Sequence, residues 1–164
     1  MNATALSGTH KGNADAAHRW LLPGLIAGAA FLIIEMVAGS FTTSVWAFPE
    51  SIALTIGIGS STSDFASISL WAGIGVHLAF SAGLGAAFIA MARRLRVSGR
   101  RLLAAGVLFM WAESAVSIWL VLHTLFPATL PLLLGAVPFW ASFVGRTTYG
   151  LVLARAYETL WHAG

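Results

Sequence analysis

The chain has 164 residues, of which 58% are hydrophobic and 9% charged, and its mean hydropathy is +0.83. Soluble domains carry about 25% charged residues, so the composition places this chain in a bilayer. A pI near 10.2 would suit a nucleic-acid partner, but the net charge is only +3, and no such partner is expected. With no cysteine, disulfides, thiolate-held iron–sulfur clusters and Cys-based zinc sites are excluded.

Residues 1–19 form a polar cytoplasmic tail, expected to be mobile, in which His10 and His18 read as solvated side chains rather than a metal pair. Four apolar stretches follow: about Trp20 to Phe41, Leu70 to Ala92, Leu102 to His123 and Leu130 to Ala156. Each meets the roughly 20 residues a helix needs to cross a hydrocarbon core. They are apolar on nearly every side, whereas barrel strands would alternate apolar and polar positions. The expected fold is all-α, an integral membrane four-helix bundle forming one domain over residues 20–164.

The first stretch opens with Trp20, suited to the headgroup region, and Pro23, harmless in a first turn. Its length and polar leader mark it as an uncleaved span rather than a signal peptide. Gly24 and Gly28 are spaced for close helix packing. Between the first two spans, Phe48-Pro49-Glu50 and Gly57 bracket a helix too short to cross, interfacial or re-entrant, followed by a flexible polar run over Ser60 to Asp64. In the second span Gly75, Ala79, Gly83 and Ala87 make a ridge suited to tight packing, while Gly73, His77, Ser81 and Gly85 make a second row; either could face a neighbour.

Five of the nine basic residues, Arg93, Arg94, Arg96, Arg100 and Arg101, sit between spans two and three. With Lys11, Arg19 and Arg155 they put eight basic residues on one side, so both termini are expected in the cytoplasm of a bacterial-type inner membrane. The same arginines are candidates for contact with anionic lipid headgroups.

The run Gly28 to Glu35 returns 78 residues later as Gly106 to Glu113, with Gly, Phe and Glu in step, and Phe48-Pro49 returns as Phe126-Pro127. After about nine extra residues in the first half the offset becomes 69, aligning Trp71-Ala72 with Trp140-Ala141 and Phe80 with Tyr149. This order of matches indicates a tandem duplication of a two-helix unit, repeat 1 over about 20–92 and repeat 2 over about 98–161, related by a pseudo-twofold axis along the membrane normal.

Four ionisable residues fall inside spans: Glu35, His77, Glu113 and Arg146. Charges there cost several kcal/mol and normally turn inward to partners. A buried polar cluster of Glu35, His77, Glu113, Arg146 and Tyr149 is therefore expected, with Glu113 paired to Arg146 and Glu35 to His77. Structural glue is the plainest role for such pairs, ahead of a proton, ion or small-solute pathway. No metal site is expected, because Ala38 and Val116 stand where a di-iron Glu-x-x-His motif needs histidine. No cofactor is expected either, with haem, quinone or metal left as a third reading. Most tryptophans read as interface anchors, but Trp111 and Trp119 lie inside span three, where they could line contact with another membrane subunit.

Gly28, Pro49, His77-Leu78-Ala79-Phe80, Gly83, Gly85 and Tyr149-Gly150 together resemble the pattern of small bacterial four-span membrane proteins of the YagU-like family. Arg146 departs from it, standing where a second His would be expected. The resemblance implies the fold and no particular activity. The leading functional expectation is a non-enzymatic accessory or assembly subunit of an inner-membrane complex, bound to the lipid bilayer and to other membrane subunits or to copies of itself. The alternative is a small channel or proton-coupled transporter using Glu35 and His77.

Overall fold

The computed structural model describes residues 4–59, 65, 67–125, 131 and 135–162. The chain is all-helical over these residues: α1 (Thr4–Gly39), α2 (Ala47–Thr55), α3 (Ile68–Leu95), α4 (Gly99–Ala115), a π-helical segment (Val116–Leu122), α5 (His123–Leu125) and α6 (Phe139–His162). Three segments are long and apolar enough to cross a membrane: His18–Gly39, Ile68–Leu95 and Gly99–Trp119. The fourth expected stretch is represented by α6, whose 24 residues are long enough but carry Arg146 and Arg155. Residues 60–64, 126–130 and 132–134, and with them the polar run after Gly59, the repeated Phe126-Pro127 and Leu132, lie outside the described residues.

The polar N-terminal segment differs from expectation in being helical from Thr4, continuous with the apolar part of α1. Pro23 sits inside this longer helix, not in its first turn. The short α2 ends as its sequence suggests. Ile58 donates to the Ala53 carbonyl at 2.9 Å and Gly57 to that of Leu54 at 3.1 Å, with Gly57 at φ +75°; this closing motif favours glycine because a Cβ is strained there. The end of α3 repeats the pattern with Arg96 in the left-handed position at φ 53°.

The packing follows the small residues. α1 lies along both α3 and α6, α6 also lies along α4, and α2 rests on α3; α3 and α4 hardly meet. Side chains at the helix crossings would not fit. A Cβ on Gly24 or Gly28 would strike Ser81, one on Gly73 the carbonyl of Pro49, and one on Gly106 the carbonyl of Gly150. Of the two small-residue rows on α3, Gly73, Ser81 and Gly85 are buried against α1 and α2. The ridge of Gly75, Ala79, Gly83 and Ala87 points the other way: all four are exposed, and a Cβ on Gly75 or Gly83 would meet nothing. That ridge carries no packing within the chain, because the two rows lie on opposite sides of the helix and Pro49, Gly24 and Gly28 fix which side turns inward.

Large apolar side chains cover the outside, among them Ile33, Val37, Leu108 and Trp119, the last 72% exposed. The interior mixes large apolar side chains, among them Leu70, Phe88, Ile89 and Leu153, with small and polar ones, and Glu35, Ser69, Ser81 and Ser114 are all buried there. Lipid tails give no hydrophobic drive for helix association, so close backbone approach and internal hydrogen bonds are the forces this arrangement uses. Where the apolar part of α1 begins and α6 closes, the Arg93 guanidinium lies 5.5 Å from the Trp20 ring and 4.8 Å from that of Trp161. Arg94, Arg96, Arg100 and Arg101 are exposed around the same turn.

Candidate functional site

The helix geometry leaves a cavity of about 410 Å³ between α1, α3, α4 and α6, capped by Phe48 from α2. Its flank between α3 and α4 is the one the packing does not close. The walls include Phe31, Phe48, Phe80, Leu84, Met110 and Phe139, and the polar groups are His77, Ser81, Glu113, Ser142, Arg146 and Tyr149. Four of the five residues expected in a polar cluster thus share one cavity. Glu35, the fifth, is outside its lining: fully buried, it lies behind Phe31 against Gly145, where an added Cβ would come within 3.0 Å of Oε1.

The partners differ from the expected pairs. Among the described residues no ion pair joins Glu113 to Arg146 or Glu35 to His77; the one within 4.0 Å is Arg155 with Glu158, on the surface. His77 Nε2 instead meets the Gly28 carbonyl at 3.0 Å. Its ring stacks on Phe31 at 5.4 Å and meets Phe48 edge-on at 5.9 Å. Gly28 is seven residues before Glu35, about 10 Å along the helix, and the Phe31 ring fills the interval, so His77 cannot reach the carboxylate. Glu113 accepts a hydrogen bond from Ser117, one turn ahead on its own helix.

Around Glu35 the polar neighbours are the Arg146 charge and the Ser142 hydroxyl, yet neither carboxylate oxygen completes a hydrogen bond of normal geometry. A buried polar atom without a well-formed hydrogen bond costs about 1–3 kcal/mol, so the carboxylate depends on these two neighbours. Tyr149 is fully engaged. Its hydroxyl donates to the Ser81 carbonyl at 2.8 Å, tying α6 to α3 across the floor of the cavity.

Two determinants were not evident from sequence. Phe31 and Phe48 form the aromatic walls about His77; the recurrence of both as Phe109 and Phe126 was the available signal, but recurrence alone does not say which rings turn inward. The π-helical segment was the other. From Val116, three residues after Glu113, the hydrogen bonding lengthens, and the His123 N–H reaches the Ile118 carbonyl five residues back. Ile118, in this segment, lines the cavity, and such widened turns are frequent at functional sites.

Of the aromatic residues expected to face a partner, Trp111 is spent within the chain, 4.6 Å from Phe143, while Trp119 points outward. No group of three or more metal-ligating side chains comes together among the described residues. Comparisons with protein-family models, curated proteins and solved structures find no match.

Proposed function

We propose that this chain is an integral membrane protein that binds a small, lipid-soluble molecule between its helices, as a carrier or binding protein for small solutes. The carrying observation is the cavity itself: apolar walls, a few convergent polar groups and an unsealed flank between α3 and α4 are the features of a small-molecule site. In this reading α6 and the residues before it supply a fourth span. The chain is then a four-helix bundle with both termini on the cytoplasmic side of an inner membrane, of the YagU-like kind.

Tandem duplication of a two-helix unit belongs to the same proposal. Its support is that the Gly28–Ser81 crossing of α1 with α3 and the Gly106–Gly150 crossing of α4 with α6 involve residues related by the same offsets of 78 and 69 that align the sequence halves. Proton coupling through Glu35 and His77 gains nothing from the geometry, since the two do not face each other. The accessory-subunit reading retains Trp119 as its one outward aromatic within span three.

The chain contains no cysteine, which makes a direct test simple. Ser142→Cys, on the cavity wall, should react with a membrane-permeant maleimide in proteoliposomes, and adding Leu84→Trp to fill the cavity should suppress the labelling. Equal labelling with and without the tryptophan would overturn the proposal.

A further inference from the structure

Where the segments Ile68–Leu95 and Gly99–Trp119 join, a second hollow of about 300 Å³ lies between the α3–α4 turn and the last turns of α6. Of the five arginines in this turn, Arg93 and Arg96 line it, whereas Arg94, Arg100 and Arg101 do not. Neither of the two has a carboxylate within 4.0 Å among the described residues, and the acid on the wall, Glu158, is paired with Arg155 at 2.9 Å. The hollow is therefore basic.

Both arginines are held in place. Arg93 rests against the rings of Trp20 and Trp161, a contact that fixes a guanidinium without consuming its N–H groups. Arg96 sits in the left-handed position at φ 53°, where glycine would be free of strain; its side chain is kept there at a conformational cost. Ser98, which makes no side-chain cap to α4, and Tyr157 add hydroxyl groups to the same lining. Ala92, Val97 and Leu102 form its apolar side.

Paired guanidiniums beside hydroxyl groups match a phosphate, which accepts their N–H bonds in parallel. Tryptophans such as Trp20 and Trp161 settle at the headgroup level of a bilayer, so the phosphate of a lipid lies within reach. The apolar side would receive the glycerol and first methylenes of a lipid and would give a free phosphate nothing. A choline or ethanolamine head would bring an ammonium group towards the arginines.

We infer that this hollow binds the phosphate of one anionic phospholipid between Arg93 and Arg96, so that a headgroup joins the start of α4 to α3 and α6. The site rests on the membrane reading above and not on the cavity between the helices. It is distinct from a general attraction of a basic turn to an anionic surface, since two arginines of the five and a single lipid molecule make it.

The test uses the full chain in non-ionic maltoside micelles with phosphatidylglycerol and phosphatidylcholine of identical acyl chains, bound lipid being counted by native mass spectrometry. Phosphatidylglycerol should bind with one equivalent and at least about tenfold more tightly than phosphatidylcholine. Arg93→Gln and Arg96→Gln should each weaken it about fivefold, the change expected of one basic contact. Arg100→Gln and Arg101→Gln should each change it less than about twofold. Arg96→Gly gives a readout that a merely structural arginine would not: it should raise stability in lipid-free micelles, by relieving the backbone, while still losing the lipid. Glycerol phosphate, which has the same anionic group and no acyl chains, should not displace the lipid at equal concentration.

Equal losses from all four glutamine variants would overturn the inference in favour of diffuse attraction, and displacement by glycerol phosphate would assign the hollow to a soluble phosphate. Equal binding of the two lipids would also overturn it, with the membrane reading left standing. A chain that stays dispersed in buffer without detergent would remove both. Should Arg93→Gln not fold, Arg93→Lys keeps the charge without the planar fork and should retain the preference for phosphatidylglycerol at reduced affinity; a lost preference in that variant also counts against the inference.

Discussion

Two seams in this protein are built from helices that correspond under the proposed repeat, and they end up differently. The seam of α1 with α6 is closed along its length, whereas α3 and α4, their counterparts under the repeat, barely touch. At the closed seam Phe31 and Glu35 press against Gly145. At the open seam the matching residue, 69 positions earlier, is Val76. A missing side chain allows close helix approach and a branched one hinders it, and this glycine-to-valine difference accompanies a sealed carboxylate, Glu35, at one seam and one that faces a cavity, Glu113, at the other. Under the proposed duplication, the proposed binding site is what remains when one of two equivalent seams fails to close.

The strongest way to break this contrast is Gly145→Val, which should force α1 from α6. Overpacking of this kind costs about 1–3 kcal/mol, and the upper end is expected because the obstruction includes both the Phe31 ring and Glu35 Oε1 at 3.0 Å; unfolding in mixed detergent micelles measures it. Next, Arg146→Met should cost about 2 kcal/mol, within the 1–3 kcal/mol of a buried group that loses polar support, because its charge reaches the buried Glu35 carboxylate. Glu113→Gln should cost less, because Glu113 is held by the Ser117 hydroxyl and has no cation within 4.0 Å; a loss as large as that of Arg146→Met would mean that Glu113 carries more of the packing than that.

Val76→Gly sharpens the contrast from the other side. A helix-interior glycine costs about 1 kcal/mol, but the substitution should let α3 and α4 draw together, raising the cross-linking yield between Leu84→Cys and Met110→Cys, both on the cavity wall. No gain in yield would remove Val76 as the reason for the gap. The smallest effect on the seams belongs outside both: Gly57→Ala, strained at φ +75° with nothing near its Cβ, should lose about 1–2 kcal/mol in the same unfolding assay and leave cross-linking unchanged.

The legible parts of this fold were those set by one residue's chemistry. Glycine marked the end of α2, and long apolar runs marked the spans. Small residues identified possible crossings without choosing between faces: α3 carries two such rows, and only contact with Pro49 and with the glycines of α1 shows which one packs. The ionisable residues were likewise visible as a group, and four of the five share a cavity with their partners rearranged. Pairing by depth alone placed His77 with Glu35. Sequence position carries no information about the Phe31 ring between them or about the Gly28 carbonyl that captures the imidazole. The π-helical segment after Glu113 left no composition signal, because it is a change in hydrogen-bond span rather than in residue type.

The glycine crossing of α4 on α6 has a mechanical consequence. Arg93 and its two tryptophans rivet α1, α3 and α6 to one another, but α4 is not part of that joint, and its closest support is the meeting of Gly106 with Gly150. Phe109 against Phe88 at 5.5 Å and Trp111 against Phe143 at 4.6 Å steady α4 within five residues of that crossing, so it is the stretch beyond Trp111 that can swing about it. Ser117 lies six residues beyond Trp111, about 9 Å along the axis, so a tilt of about 10° there would swing the hydroxyl that holds Glu113 sideways by about 1.5 Å. Such a swing would widen or narrow the gap beside α3 while leaving the other three helices in place.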